Sequence, residues 1–250
     1  MTAAGPAPDG LLCLPFAGAG ASFFRPWQDL APAGLEVVAL QLPGREWRLA
    51  EEPCATVQET VDVLLPEAAE IARRLRGVAL FGHSLGAVIA YELARRLVAD
   101  ARCPVALLVV SGSPAPWHGR SDRATALDDD EFLLRIEEFA GYRHEALADP
   151  EMRELILPTL RADVRMHEEY EPGSRDPIDV PVTAVRGSDD ELVTAADTAA
   201  WRDATRAGFT VEEFDGGHMY LTDRAGPLLS GIAAQLSRRT HEGLAEHAAG

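Results

Sequence analysis

The chain has 250 residues, 47% of them hydrophobic and 25% charged, enough for one substantial core with room for an inserted cap. Its 23 basic and 40 acidic side chains leave a formal net charge of −17, which argues against nucleic acid or an anionic membrane as a partner. No apolar run approaches the ~18–20 residues of a membrane span, and the opening MTAAGPAPDG has neither the basic nor the apolar region of a secretory signal.

Residues 1–10 read as a disordered lead-in, residues 11–238 as a single α/β domain and residues 239–250 as a flexible tail. In chain order, apolar β-branched runs at Leu11–Phe16, Val37–Leu42, Val78–Gly82, Val105–Ser111, Val180–Arg186 and Thr210–Asp215 predict strands. Several are apolar almost throughout, as strands covered on both faces of a parallel sheet must be. Helical patterns at Val57–Leu75, Leu85–Val98 and Ala195–Ala204 lie between them, and one at Gly226–Ser237 follows the last. In the first, Val57, Val61, Leu64, Leu65, Ala68 and Ile71 form one stripe, with Pro66 expected to bend it. This alternation predicts a mostly parallel, doubly wound sheet. From about residue 113 to 179 it stops, and two helical patterns, LDDDEFLLRIEEFA and DPEMRELILPTLRADVRMHEEYE, predict a helical lid inserted between two strands.

The cysteines, Cys13, Cys54 and Cys103, are odd in number and far apart. They support neither a disulfide framework nor a zinc site, and they fit a reducing cytoplasm. Every basic side chain other than histidine is arginine, so a lysine Schiff base and a P-loop lysine are both excluded.

Gly82-His83-Ser84-Leu85-Gly86 matches G-x-S-x-G, with an apolar run before it and a helical pattern after it. Small residues there let a strained strand-to-helix turn form, with the Ser84 hydroxyl above the sheet at a helix N-terminus. A serine hydroxyl needs a base to take its proton. Of seven histidines, His218 in FDGGHMYL follows a predicted strand and a Gly-Gly turn, on the sheet edge where Ser84 projects. His83 is expected to point away from the nucleophile. His118, His144 and His167 fall in the lid, and His241 and His247 in the tail. The base needs an acid, and VTAVRGSDDEL ends a predicted strand with two candidates, Asp189 and Asp190; spacing from Gly187 favours Asp190 over Asp189, and both over Asp215. The order serine, acid, histidine is that of α/β-hydrolases. The oxyanion would rest on the Leu85 N–H and on a donor from LPFAGAGASFF, for which position selects Ala17.

Taken together, LPFAGAGASFF, LPGRE, GHSLGAVIAYELA, LRADVRMHEEYE, GSDDELV and FDGGHMYL resemble the type II thioesterases of polyketide and nonribosomal peptide synthases, from about residue 11 to 236. The resemblance implies an α/β-hydrolase fold with a helical lid, and Ser84, Asp190 and His218 as catalytic residues. It also implies the Ala17 and Leu85 N–H groups as oxyanion hole. The implied reaction is hydrolysis of acyl groups from the phosphopantetheine arm of acyl or peptidyl carrier proteins. No cofactor or metal of the enzyme's own is implied. The carrier is expected as a transient partner of a monomer, with Arg143, Arg161 and Arg165 as candidates for a basic docking rim. Ala19 stands where glycine is usual in the early loop, and Arg45 in LPGRE is assigned only to holding its loop. A histidine base must be neutral, so activity is expected to fall as pH drops through roughly 6–7. A carboxylesterase or lipase with the same triad, and a non-catalytic binding protein of the same fold, are the competing readings.

Overall fold

The computed structural model describes residues 7–100, 102–119, 123–140, 147 and 149–248. Six strands, β1 (Asp9–Leu14), β2 (Leu35–Ala39), β3 (Val78–His83), β4 (Val105–Ser111), β5 (Val182–Gly187) and β6 (Phe209–Phe214), form one sheet in the order β2-β1-β3-β4-β5-β6. Every neighbouring pair is parallel. All residues of β1 and β3 are buried, which explains their unbroken apolar runs. Alternate side chains serve opposite faces. Leu12, Leu14 and Leu80 join the core beneath α2 (Val57–Ala72) and α3 (Leu85–Leu97). Leu11, Cys13, Ala79 and Phe81 join the core beneath α1 (Arg25–Leu30) and α7 (Ala225–Ala248).

Strand order reverses direction at β1, since β2 lies on one side of it and β3 on the other. The loops leaving the carboxyl ends of β1 and β3 therefore flank a crevice, where ligands bind in open α/β sheets. The lid contains α4 (Asp129–Ala140) and α5 (Pro150–Glu168). Asp128 caps α4 by accepting from the Asp130 and Glu131 N–H groups, and Asp149 caps α5 with Pro150 at its first turn. Their apolar sides, Phe132 and Leu133 on α4 and Leu157 and Leu160 on α5, share a separate cluster with Leu147, which lies between the helices in sequence. A short α6 (Ala195–Ala199) precedes β6.

Several element boundaries depart from the expectations. β1 begins at Asp9, because the Asp9 carboxylate is buried against the Arg76 guanidinium at 2.5 Å and the strand pairs with β2 from that residue. β2 spans Leu35–Ala39 rather than Val37–Leu42; its register with β1 ends at Cys13↔Ala39, and Leu40 and Leu42 are buried in the loop beyond. The helix expected over Ala195–Ala204 is α-helical only to Ala199 and continues as a 3-10 turn. The last helix does not stop at Ser237 but runs to Ala248.

Candidate active site

β3 ends at His83 and α3 begins at Leu85, so Ser84 alone makes the turn. Its backbone sits at φ 53°, ψ −117°, a conformation that side-chain-bearing residues avoid. It is held there from both sides: the Ser84 N–H donates to Ser111 O at 2.8 Å, and Ser84 O accepts from the Ala87 N–H at 3.0 Å. The flanking glycines are required by close approach. A Cβ on Gly82 would lie 1.9 Å from Gly86 O, and one on Gly86 would lie 2.2 Å from Leu14 O. The serine side chain makes no cap bond to α3 and instead lines a cavity. Developing negative charge there meets the positive end of the α3 dipole.

The same cavity is lined by His218, from the loop after β6, and by Ala17, from the loop after β1. His218 Nδ1 lies 2.9 Å from Asp190 Oδ2. The other carboxylate oxygen of Asp190 accepts from the Leu192 N–H at 2.9 Å and the Val193 N–H at 3.1 Å. Burial pushes the Asp190 carboxyl up, but the His218 hydrogen bond and charge and these two N–H groups outweigh it, leaving its pKa lowered. Asp189, one residue earlier, is exposed, and Asp215 pairs with Arg224 on the surface at 3.3 Å. Arg186 organises the acid loop: Nε donates to Val193 O at 3.0 Å and Nη2 to Asp190 O at 3.2 Å. Nothing in its sequence context marked it for that task.

His83 departs from expectation. It does not leave the site; its buried ring lies 4.7 Å from the His218 ring, centroid to centroid, and it too lines the cavity. Its Nδ1 is 2.9 Å from Ser111 Oγ, which is 2.7 Å from the Tyr220 hydroxyl. Burial, then the charges of His218 and His167, push the His83 pKa well down, so the ring is neutral. The molecule thus holds two serine–histidine neighbourhoods. Ser111 is fully buried and absent from the cavity wall; Ser84 is on that wall.

The cavity, ≈ 440 Å³, has an apolar wall from Phe16, Phe23, Ile136, Leu147, Leu160 and Val164, and its polar lining includes Ser84, His83, His167, Glu168 and His218. Helices α4 and α5 supply much of that wall, which identifies the insertion as a lid. His167, on lid helix α5, is a buried member of the wall, and His118 is exposed. His144 and Arg143 lie outside the described residues. Of the expected basic rim, Arg165 is exposed, but Arg161 is spent inside the lid. Its guanidinium donates to Asp129 and to Leu127 O and stacks 4.3 Å over the Phe132 ring.

The sequence profile of the family described as "Thioesterase domain" matches residues 10–236. The chain is 34% identical to the gramicidin S biosynthesis protein GrsT of Aneurinibacillus migulanus over 227 residues, covering 90% of this chain and 88% of that protein. It is 36% identical to thioesterase PikA5 of Streptomyces venezuelae over 235 residues, covering 92% and 83%. The solved structure of BorB, the type II thioesterase of the borrelidin biosynthetic cluster, superposes with a TM-score of 0.82 at 37% identity, covering 93% of this chain and 94% of that one. With a serine elbow, a carboxylate-bound histidine and a lidded apolar cavity on an all-parallel sheet, the chain belongs to the thioesterase domain family and is a type II thioesterase of the α/β-hydrolase superfamily.

Proposed function

We propose that Ser84, His218 and Asp190 carry out the reaction of this type II thioesterase, the release of acyl groups from the phosphopantetheine arm of carrier proteins in polyketide or nonribosomal peptide assembly. The observation that carries this assignment is that Ser84 and His218 line one cavity while buried Asp190 engages Nδ1 of His218. That leaves Nε2 as the ring nitrogen for proton transfer. Ser84 Oγ attacks the thioester carbonyl carbon as its proton passes to His218. The carbonyl oxygen becomes an oxyanion received by the Ala17 and Leu85 N–H groups. The C–S bond breaks, the pantetheine sulfur takes the proton from His218, and an acyl-Ser84 ester remains. Water then attacks that ester with His218 as base, freeing the carboxylic acid and restoring Ser84. The chemistry draws on no cofactor or metal of the protein's own, and phosphopantetheine arrives on the substrate. The carrier is a transient partner, and we read the enzyme as a monomer acting in the cytoplasm. The three buried free cysteines support that compartment, and among the described residues no helix is long and apolar enough to cross a membrane.

The test compares Ser84→Ala with Ser111→Ala on acyl-carrier and acyl-pantetheine thioesters, with simple oxygen esters in parallel. Ser84→Ala is expected to lower kcat by about 10³-fold or more, and Ser111→Ala to keep it within about tenfold, since the Ser111 hydroxyl, bonded to His83 and Tyr220, is absent from the cavity wall. Near wild-type turnover by Ser84→Ala refutes the nucleophile. A preference for oxygen esters over thioesters refutes the substrate class.

A further inference from the structure

Arg45, in the loop after β2, and Asp163, on lid helix α5, are 118 residues apart in sequence and form a buried ion pair. Arg45 Nη1 lies 2.5 Å from Asp163 Oδ2, and Nη2 lies 2.7 Å from Oδ1. The Asp163 side chain is fully buried. Its Oδ2 also accepts from the Gly18 N–H at 2.8 Å, and Arg45 Nη1 donates to Ala19 O at 3.1 Å. One lid carboxylate and one guanidinium therefore grip consecutive residues of the loop after β1. The contact is reinforced nearby. Thr159 Oγ1 of α5 donates to Gly44 O at 3.2 Å. Leu160 of α5 packs so closely on Gly18, whose φ is 77°, that a Cβ there would meet Leu160 Cδ1 at 2.8 Å.

Gly18 follows Ala17, so the bond from Asp163 to the Gly18 N–H fixes the peptide plane next to the Ala17 donor. A fork of two parallel bonds to a planar guanidinium fixes orientation as well as distance. We propose that Arg45 and Asp163 are positioning residues that tie lid helix α5 to the oxyanion loop, so that oxyanion stabilisation depends on where the lid sits. This rests on the reading of the Ala17 N–H as an oxyanion donor. The lid is then more than a cover for the acyl chain: an acyl group seated against Leu160 and Val164 presses on the helix that sets the donor. The ion pair also gives the otherwise unexplained arginine of LPGRE a partner and a purpose.

The test uses the full chain, with Asp163→Asn and the double variant Arg45→Met/Asp163→Leu. An apolar pair of similar volume commonly preserves stability where a buried ion pair stood, but it leaves the Gly18 N–H without its acceptor. Two inhibitors with the same acyl chain separate the roles. A trifluoromethyl ketone takes up Ser84 Oγ at its carbonyl carbon, giving an oxyanion while the serine proton moves to His218; the free carboxylic acid only occupies the cavity. For the folded double variant, kcat and trifluoromethyl ketone affinity should both fall by about 10- to 100-fold, while the carboxylic acid binds within about threefold of wild type. Asp163→Asn, which retains one acceptor oxygen, should show the same selective loss at about 3- to 10-fold and serves alone if the double variant does not fold. Unchanged kcat and unchanged ketone affinity in a folded variant overturn the proposal, as does an equal loss for both inhibitors. If wild type binds the ketone no better than the acid, or Ser84→Ala binds it equally well, the oxyanion reading itself fails and the proposal with it.

Discussion

The backbone of Ser84 allows a stability prediction that runs against the usual order of residues. Glycine in place of alanine ordinarily destabilises a folded chain by about 0.5–1 kcal/mol, through the greater freedom of the unfolded state. At φ 53°, ψ −117° any residue with a Cβ carries strain of about 1–3 kcal/mol that glycine does not. The strain cannot relax, because the Ser84 N–H and C=O are both committed, to Ser111 and Ala87. The hydroxyl makes no cap bond, so its removal does not distinguish the two replacements. Taking the middle of each range, Ser84→Gly should be more stable than Ser84→Ala by about 1 kcal/mol. In a chain of this size that corresponds to a Tm higher by about 2–4 °C. Both variants lack the nucleophile, so neither carries an acyl group that would stabilise it by ligation. Urea unfolding of the two, with unchanged m-values, gives the difference as a shift in midpoint. If Ser84→Ala proves as stable as Ser84→Gly or more so, the turn is not strained as described.

Two further predictions follow from the histidine neighbourhood. Because burial lowers the folded-state pKa of His83, the unfolded chain binds a proton there, below its ordinary value of about 6.5, that the folded chain does not. Stability from this group is unaffected above that pH and falls by up to about 1.4 kcal/mol per pH unit below it. His83→Asn should flatten that part of the curve, and parallel unfolding curves for wild type and variant between pH 6.5 and 5 would refute it. Asp190→Asn should lower kcat by about 10²- to 10⁴-fold through loss of the bond that sets the His218 tautomer, whereas Asp189→Asn, on an exposed side chain, should change it by less than about twofold. Equal effects in steady-state hydrolysis would mean that the acid is misassigned.

Much of the site was written locally. The G-x-S-x-G turn, the small-residue loop after β1 and the Gly-Gly-His turn after β6 each depend on residues adjacent in sequence, and the first two sit at the ends of strands that are buried throughout. Parallel pairing of β1 with β3, with Leu14 beside Gly82, is what sets the first two next to one another. The two adjacent aspartates could be ranked by spacing, but burial is what separates them. Asp190 turns inward onto His218 and two backbone N–H groups, and Asp189 turns to solvent.

Other features had no local signature. His83 reads as a bystander because a one-residue step along a strand reverses the side chain. Its place beneath His218 comes from Ser111 at the end of β4 and Tyr220 after β6, which meet it only when the sheet is assembled. α7 outlasts its apolar pattern, as Ser237 did not end it. By itself the sequence determined the order of layers, the strand-end positions of the reactive groups and the family, since these follow from hydrophobic period and short turns. Only the tertiary structure decided which of two acids meets the histidine, that His83 lines the cavity beside His218, and that Arg45 reaches across to Asp163 on the lid. Those choices turn on burial and on contacts between residues far apart in the chain, which no window of sequence contains.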